Sequence, residues 1–399
     1  MVKVAIVSQL YPRSHYTIFL GKALRRLKVD RVRTLFYRSR SENIRLDLEN
    51  MREVWSKNPF YPFQIFRQVV RDKPSIVHIQ HEFNMFGGPS TALVFPLLLL
   101  LLKISRTKTI VTLHAVVSPS IVNREFASTF GAPALLWPVL RIMISLLYRT
   151  TVSLSTFVIV HSKNMKIALE TSYAARADKV RVIPIGVPEP TKRLFTNQKW
   201  RNLLKGKNVV LFFGYLTERK GVEYLIQAFH DLAGSYGAWV LLVVGGKLKY
   251  STPYIKKLSS LVTDLGINDR VIMTTTTPFP TDELDEIFEL ADFVVLPYTM
   301  AISSSIVLSF AMQHGKPVIV PDNEIMREFV DEGEDGLLCK PKDVESLRDA
   351  MRVMMEDPLL RKKLSNSMTQ KASTFSWNRV ADATRTLYLD VDDAMRMKS

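Results

Sequence analysis

This chain of 399 residues reads as two α/β domains, each built on a parallel sheet, with a final helix that returns to the first domain. Three observations carry that reading. Apolar strand-like runs alternate with amphipathic segments through both halves, the pattern of a parallel sheet covered by helices. A run that cannot be helical, Pro184-Ile185-Gly186-Val187-Pro188-Glu189-Pro190, interrupts the alternation, and the alternation then restarts. The expected boundaries are a first domain over 1–187, a linker over 188–206, a second domain over 207–375 and a returning helix over 376–399. Two such sheets place their carboxyl strand ends on the two sides of a central cleft, where ligands of parallel sheets bind.

In the first half, Val2–Val7 is a strand and Ile18–Leu27 a helix. Ser75–Ile79 and Thr109–Leu113 are strands separated by the apolar helix around Leu93–Leu102, and Thr156–His161 is a strand followed by a helix near Asn164–Ser172. In the second half, the strands are Val209–Phe213, Trp239–Val244, Val271–Thr274, Phe293–Leu296 and Pro317–Val320. Helices at Val222–Leu232, Tyr254–Leu265, Thr281–Leu290 and Ile306–His314 fall between them, and several more follow. No repeat of 20–50 residues is present, only two similar halves.

Composition bounds the function. With 47% hydrophobic and 23% charged residues the chain is globular rather than disordered. One cysteine, Cys339, excludes an internal disulfide and a cysteine metal cage, and fits a reducing compartment. The N-terminus runs straight into a strand, so no signal peptide is expected. Leu93–Leu102 is about half the ~20 residues a membrane span needs. Ala132–Val160 is longer but carries Pro138, Arg141 and Arg149, which favours a buried or interfacial helix over a span. The net charge of +16 is one-sided: residues 1–193 hold 29 Lys+Arg against 11 Asp+Glu, while the remainder is near neutral. A basic half suggests an anionic surface: phosphate-linked lipid or an anionic bilayer comes first, a role in solubility alone second, and nucleic acid last, since no zinc finger or single-strand-binding aromatic pattern supports it.

The chemistry-bearing motif is Phe212-Phe213-Gly214-Tyr215-Leu216-Thr217-Glu218-Arg219-Lys220-Gly221-Val222. A strand broken at glycine that feeds a helix leaves N–H groups and a lysine at a sheet's carboxyl end, where phosphates bind. The arrangement recurs at Gly245-Gly246 and at Ser303-Ser304-Ser305-Ile306, whose serines lead a helix and offer donors to phosphate. His78, His81 and Glu82 lie within five residues, but strand alternation points the two histidines to opposite faces, so no metal site is expected.

The order of these motifs resembles the family 4 glycosyltransferases of the GT-B fold over nearly the entire chain. The resemblance runs through Val77-His78-Ile79-Gln80-His81-Glu82, Thr112-Leu113-His114, Val158–Ser162 and Val182–Val187 in the first half. In the second it adds the Lys220 motif, Ala291–Tyr298, Gly315–Val320 and Glu328–Leu338. It implies two Rossmann-like domains and a retaining, metal-independent hexosyl transfer from a nucleotide sugar, with the donor on the second domain and the acceptor on the first. It implies catalytic roles for His114, Lys220 and Arg219, and donor contacts from Gly214, Lys220, Gly245, Ser304, Ser305, Ile306 and Glu328. His15, His81 and Glu82 would lie on the acceptor side, the latter two on a loop that Gly87-Gly88 helps close. No cofactor or metal is implied. The expected partners are a nucleotide sugar, a lipid-linked or polymeric glycan acceptor and an anionic membrane, with no specific nucleic acid. The expected location is the cytoplasmic face of the cell membrane.

The chain departs from the pattern in places. Two glutamates common in the family fall at Ile302 and Phe310, as in the branch that carries a serine loop. Thr217 stands where that branch has an arginine, with Arg219 two residues on, and His15 stands where a glycine is usual. These departures support an alternative: a catalytically silent protein of the same fold, acting as scaffold or partner of an active transferase.

Overall fold

The computed structural model describes residues 1–9, 15–27, 31–40, 50–83, 85–189, 199–248, 251–275, 281–300 and 302–397. The chain forms two compact units, one of Met1–Gly186, Ile302–Ser304 and Trp377–Ser399, the other of Val187–Ala301 and Ser305–Ser376.

The first unit is a seven-stranded parallel sheet in the order β3-β2-β1-β4-β5-β6-β7. Its strands are β1 (Val2–Val7), β2 (Val32–Ser39), β3 (Met51–Trp55), β4 (Ile76–His81), β5 (Lys108–Leu113), β6 (Phe157–Val160) and β7 (Val180–Val182). Its helices are α1 (His15–Arg26), α2 (Tyr61–Asp72), α3 (Pro89–Ala92), α4 (Phe95–Ile104), α5 (Arg124–Thr129), α6 (Trp137–Leu154) and α7 (Lys163–Tyr173). Buried on both faces, β1 is almost wholly apolar, as a parallel strand under two helical layers must be, and β5 departs from that only by Lys108 and the small Thr109 and Thr112. Strand β4 is the exception, with His78, Gln80 and His81 all buried. The sequence reading contains no strand between residues 8 and 74, yet β2 and β3 lie there. In β2 the core-facing Leu35, Phe36 and Tyr37 are flanked by Arg33, Thr34 and Arg38, which hides the strand.

In the second unit, α8 (Lys199–Leu203) precedes a six-stranded parallel sheet in the order β10-β9-β8-β11-β12-β13. The strands are β8 (Asn208–Tyr215), β9 (Trp239–Gly246), β10 (Val271–Thr275), β11 (Phe293–Val295), β12 (Val318–Pro321) and β13 (Gly336–Cys339). The helices are α9 (Val222–Ala233), α10 (Thr252–Asp264), α11 (Thr281–Leu290), α12 (Ile306–Gln313), α13 (Val344–Glu356) and α14 (Pro358–Ala372). Asp343 and Asp357 start the last two by accepting from Ser346 N and Leu360 N at 2.9 and 2.8 Å. Of the expected linker 188–206, residues 190–198 lie outside the described residues. Its end forms α8, and Trp200 Nε1 donates to Glu283 on α11 at 2.8 Å, so this part is built into the second unit.

The last helix, α15 (Trp377–Arg396), belongs to the first unit and packs on α1 and β1. Leu387, Tyr388 and Val391 join the core that Val4, Ile6 and Leu20 begin. Trp377 meets Tyr16 edge-on at 5.1 Å and stacks with Phe19 at 5.5 Å between ring centroids. A Cβ on Gly186 would lie 2.5 Å from the Trp377 indole, so the glycine clears the ring's place. Truncating a buried tryptophan costs about 3–5 kcal/mol. Trp377→Ala is therefore expected to lower the first unit's stability by roughly that amount, measured by urea unfolding; a loss below about 1 kcal/mol would mean the helix is only loosely attached.

Candidate active site

In the second unit the chain leaves β8 for β9 and β10 on one side, then crosses to β11, β12 and β13 on the other. The reversal lies between β8 and β11, which opens a crevice at their carboxyl ends. Two loops meet there. Near the end of β8, Gly214 adopts φ 147°, and a short 3-10 turn after the strand, Glu218–Lys220, carries the two cations. After β11 comes Pro297-Tyr298-Thr299. The loops are fastened together: Thr299 N donates to Arg219 O at 3.0 Å. Gly221, at φ 65°, packs so closely that a Cβ would sit 2.0 Å from Pro297 O. No other residue fits there without moving the backbone.

This stitching fixes Lys220. Its side chain is only 9% exposed, and its ammonium lies 3.5 Å from the centroid of the Tyr298 ring. A desolvated cation over an aromatic face gains about 2 kcal/mol, which offsets part of its lost hydration. The Tyr298 hydroxyl is 3.0 Å from Ser305 Oγ, and that serine accepts from Leu308 N at 3.4 Å to start α12. Burial pushes the Tyr298 phenol up to about 12, so it keeps its proton near neutral pH. Lys220, Tyr298 and Ser305 thus form one connected array. Sequence reasoning named the lysine and the serine and missed the tyrosine between them; its signal is a tyrosine just past a buried strand that faces a lysine loop.

Other expected residues fall out differently. Gly245 pairs with Gly214 across β8 and β9, but a Cβ there would meet Leu216 at 2.3 Å, so it makes room for a core side chain. The start of α9 is not an open row of donors: Val222 N donates to the Tyr254 hydroxyl at 3.0 Å, and the N–H groups of Tyr224 and Leu225 turn back to Gly221 O. Ser304 groups with the first unit and Ser305 with the second; Ser304 Oγ is buried with no hydrogen-bond partner among the described residues. Ile306 opens α12, and Glu328 ends a half-buried 3-10 turn after β12. Ile302 and Phe310, where the family carries glutamates, are both core residues.

In the first unit the buried polar groups of β4 form a continuous chain. His161 Nδ1 faces Ile183 O at 2.9 Å, and His161 Nε2 faces His114 Nδ1 at 2.9 Å. His114 Nε2 is 3.0 Å from the Gln80 amide, which also reaches His78 Nε2 at 3.1 Å. His78 touches Thr112 Oγ1 at 2.7 Å and, through Nδ1, the Tyr388 hydroxyl on α15 at 2.6 Å. Proton positions follow from the carbonyl end. Ile183 O only accepts, so His161 Nδ1 donates, its Nε2 accepts from His114, and neutral His114 presents a lone pair at Nε2. Gln80 must then turn its NH2 toward His114 and its oxygen toward His78, an assignment that atomic shape alone does not decide.

Both ring nitrogens of His114 are therefore engaged, and neither offers a free N–H or lone pair to a sugar. His81 corrects its expected placement as well: it is the last residue of β4, not on a loop, and its buried ring packs on Phe95 at 4.4 Å. Glu82 follows it, half-buried, and its carbonyl accepts from Met85 N at 2.9 Å. The His15 side chain and the loop 11–14 lie outside the described residues.

Burial lowers His78 to about 3 and His81 and His161 to about 4, and holds His114 well below its usual value. Below about pH 6.5 the unfolded chain binds protons that these folded histidines refuse, so stability falls as pH falls. The expected slope is about 1.4 kcal/mol per histidine per pH unit, vanishing above about pH 7. Thermal midpoints should drop steadily from pH 7 toward pH 5, and His161→Asn should make the slope shallower; a flat profile would contradict the neutral, internally bonded assignment.

Comparison with known proteins identifies the two halves. Residues 14–189 match the Glycosyltransferase Family 4 model and residues 195–372 the Glycosyl transferases group 1 model. A D-inositol 3-phosphate glycosyltransferase of Acidothermus cellulolyticus is 28% identical over 225 residues, 55% of this chain and 49% of that protein. The chain spans about a quarter to three-fifths of the first curated relatives it matches. Among solved structures, sucrose-phosphate synthase from Thermosynechococcus elongatus superposes with a TM-score of 0.77 at 17% identity, over 99% of this chain and all of that one. The Anabaena protein HepE in complex with UDP-glucose superposes with a TM-score of 0.75 at 17% identity, over 97% and 99%. With a family model on each half and the two parallel-sheet domains of the GT-B fold, the chain belongs to the family 4 type of glycosyltransferases.

Proposed function

We propose that the protein is a retaining, metal-independent hexosyltransferase that uses a nucleotide sugar and glycosylates a lipid-linked or polysaccharide acceptor at the cytoplasmic face of a membrane. The observation that carries this reading is the Lys220–Tyr298–Ser305 array at the reversal of strand order in the second sheet. A departing nucleoside diphosphate gains negative charge, and a fixed ammonium with helix-start donors stabilises that charge without reorganising. The anomeric C–O bond to phosphate breaks and a bond to the acceptor oxygen forms on the same face. The acceptor's proton passes to the released phosphate oxygen. Lys220 and Arg219 meet the diphosphate, Ser305, Ser304 and the Ile306 N–H donate to it, and Glu328 takes the ribose or sugar. Gly214 leaves the approach open. His15 and Glu82 lie on the acceptor side, and His114 acts through the Gln80 and His161 contacts that set its ring.

The UDP-glucose held by HepE makes uridine diphosphate sugars the first donors to test. Thermal-shift screening against uridine, guanosine and adenosine diphosphate sugars is expected to give one clear stabiliser. Lys220→Ala should weaken it about 10- to 100-fold, since a charge-assisted contact contributes roughly 1.5–3 kcal/mol. Tyr298→Leu should act in the same direction and Tyr298→Phe much less. Failure of every nucleotide sugar to bind would end this reading. The competing reading, a silent binder, draws on the burial of Ile302 and Phe310 and on the engaged ring of His114. Binding without turnover, unchanged by Lys220→Ala, would favour it.

A further inference from the structure

Exposed large apolar side chains are concentrated on one helical layer of the first unit. Helices α2, α4 and α6 pack side by side, while α1 and α15 pack together elsewhere on the unit. Along α6 and the turn before it, Leu135 is 78% exposed, Val139 51%, Ile142 69% and Leu146 58%. These four recur every three or four residues and so form a single stripe. The opposite face of α6 is also apolar but buried, through Ile144, Leu147 and Tyr148. On the neighbouring helices, Ile104 is 71% exposed and Phe63 50%. The ends of α4 and α6 are joined, Lys103 Nζ reaching Ser153 O at 3.4 Å.

We propose that this α2–α4–α6 face lies in the interface of an anionic lipid bilayer. An exposed apolar stripe on a helical layer that bears further exposed apolar side chains marks an interaction site. Charge selects the partner. Between residues 60 and 155 there are nine Lys/Arg and three Asp/Glu, and one of those acids, Asp72, accepts from Tyr37 and Gln68 at 2.6 and 3.0 Å. Arg141 and Arg149 on α6 are exposed, as are Lys103 and Arg106 at the end of α4 that adjoins the end of α6. A second copy of the chain would bring the same positive field against itself, whereas anionic headgroups complement it and the leucines enter the acyl boundary. Ala134–Leu154 is long and apolar enough to cross a membrane, but Tyr148 ties it to the fold by donating to Ala115 O at 2.9 Å. It lies in the interface and does not span it. This surface rests on the membrane location proposed above, to which it gives a place on the chain, and it is separate from the transfer chemistry itself.

The test is flotation of the full chain with vesicles of phosphatidylcholine alone and with one-third phosphatidylglycerol, at low and high salt. The chain should float with the anionic vesicles, and Val139→Ser/Ile142→Ser/Leu146→Ser should reduce partitioning about ten-fold or more. That variant should keep its melting point and its nucleotide-induced shift, because it changes only exposed side chains. Val353→Ser/Leu359→Ser, exposed positions in the second unit, should float as the parent does. Overturning results are absence of flotation, flotation unchanged by the α6 variant, binding that salt alone abolishes equally in parent and variant, or an α6-dependent dimer without lipid binding. Loss of nucleotide binding with flotation intact would count against the proposed reaction only.

Discussion

A lysine placed out of water needs something to replace its hydration, and the second unit is arranged around that need. Lys220 has the π face of Tyr298 at 3.5 Å. The ring can sit there only because Gly221 lets one loop press against the Pro297 carbonyl of the other. The two loops adjoin only because the strand order reverses between β8 and β11. Sheet topology, one glycine and one ring together set the position of one charge. An ammonium held in advance stabilises a developing anion more than a mobile one, because no reordering accompanies the reaction.

The first unit meets a different constraint. Its central strand β4 carries His78 and His81 in register with Ile6, Ile110 and Leu113, and Gln80 beside Thr112. Each buried polar atom left unpaired would cost about 1–3 kcal/mol. The chain from Ile183 through His161, His114, Gln80 and His78 to Tyr388 removes most of that cost for His78 and Gln80. It also ties α15, the last helix of the polypeptide, to the middle of the sheet. The polar strand is thus a device of specificity as well as a burden, since only one arrangement of donors and acceptors satisfies it.

Local signals were readable and distant pairings were not. The strand, glycine, lysine and helix of 209–229 announce themselves within one stretch, because period and turn chemistry are local. The helix start at Ser305 is similarly legible. By contrast, β2 and β3 hide behind Arg33, Arg38, Arg52 and Glu53, and their strand character comes from pairing with β1 and with each other. The ring of Tyr298, the hydroxyl of Tyr254 on the α9 start and the partners of His114 depend on residues brought together from across the chain. Pattern alone assigns His114 an open strand end; its geometry spends both nitrogens on the framework.

On the proposed reading, the acids near the diphosphate matter because the family's paired glutamates are absent. Glu223 sits in the first turn of α9, where a carboxylate competes with a bound anion for the helix dipole. Here that charge is already committed, to the Tyr254 hydroxyl and to Lys257 at 3.6 Å. Phe310, in the place of one glutamate, packs near Phe288 at 6.0 Å between ring centroids and adds no charge. The crevice between β8 and β11 therefore keeps Lys220 and Arg219 without an uncommitted acid contributed by α9 or α12. If the proposed diphosphate binds there, its binding should depend on these cations more steeply than in a site that balances them with carboxylates.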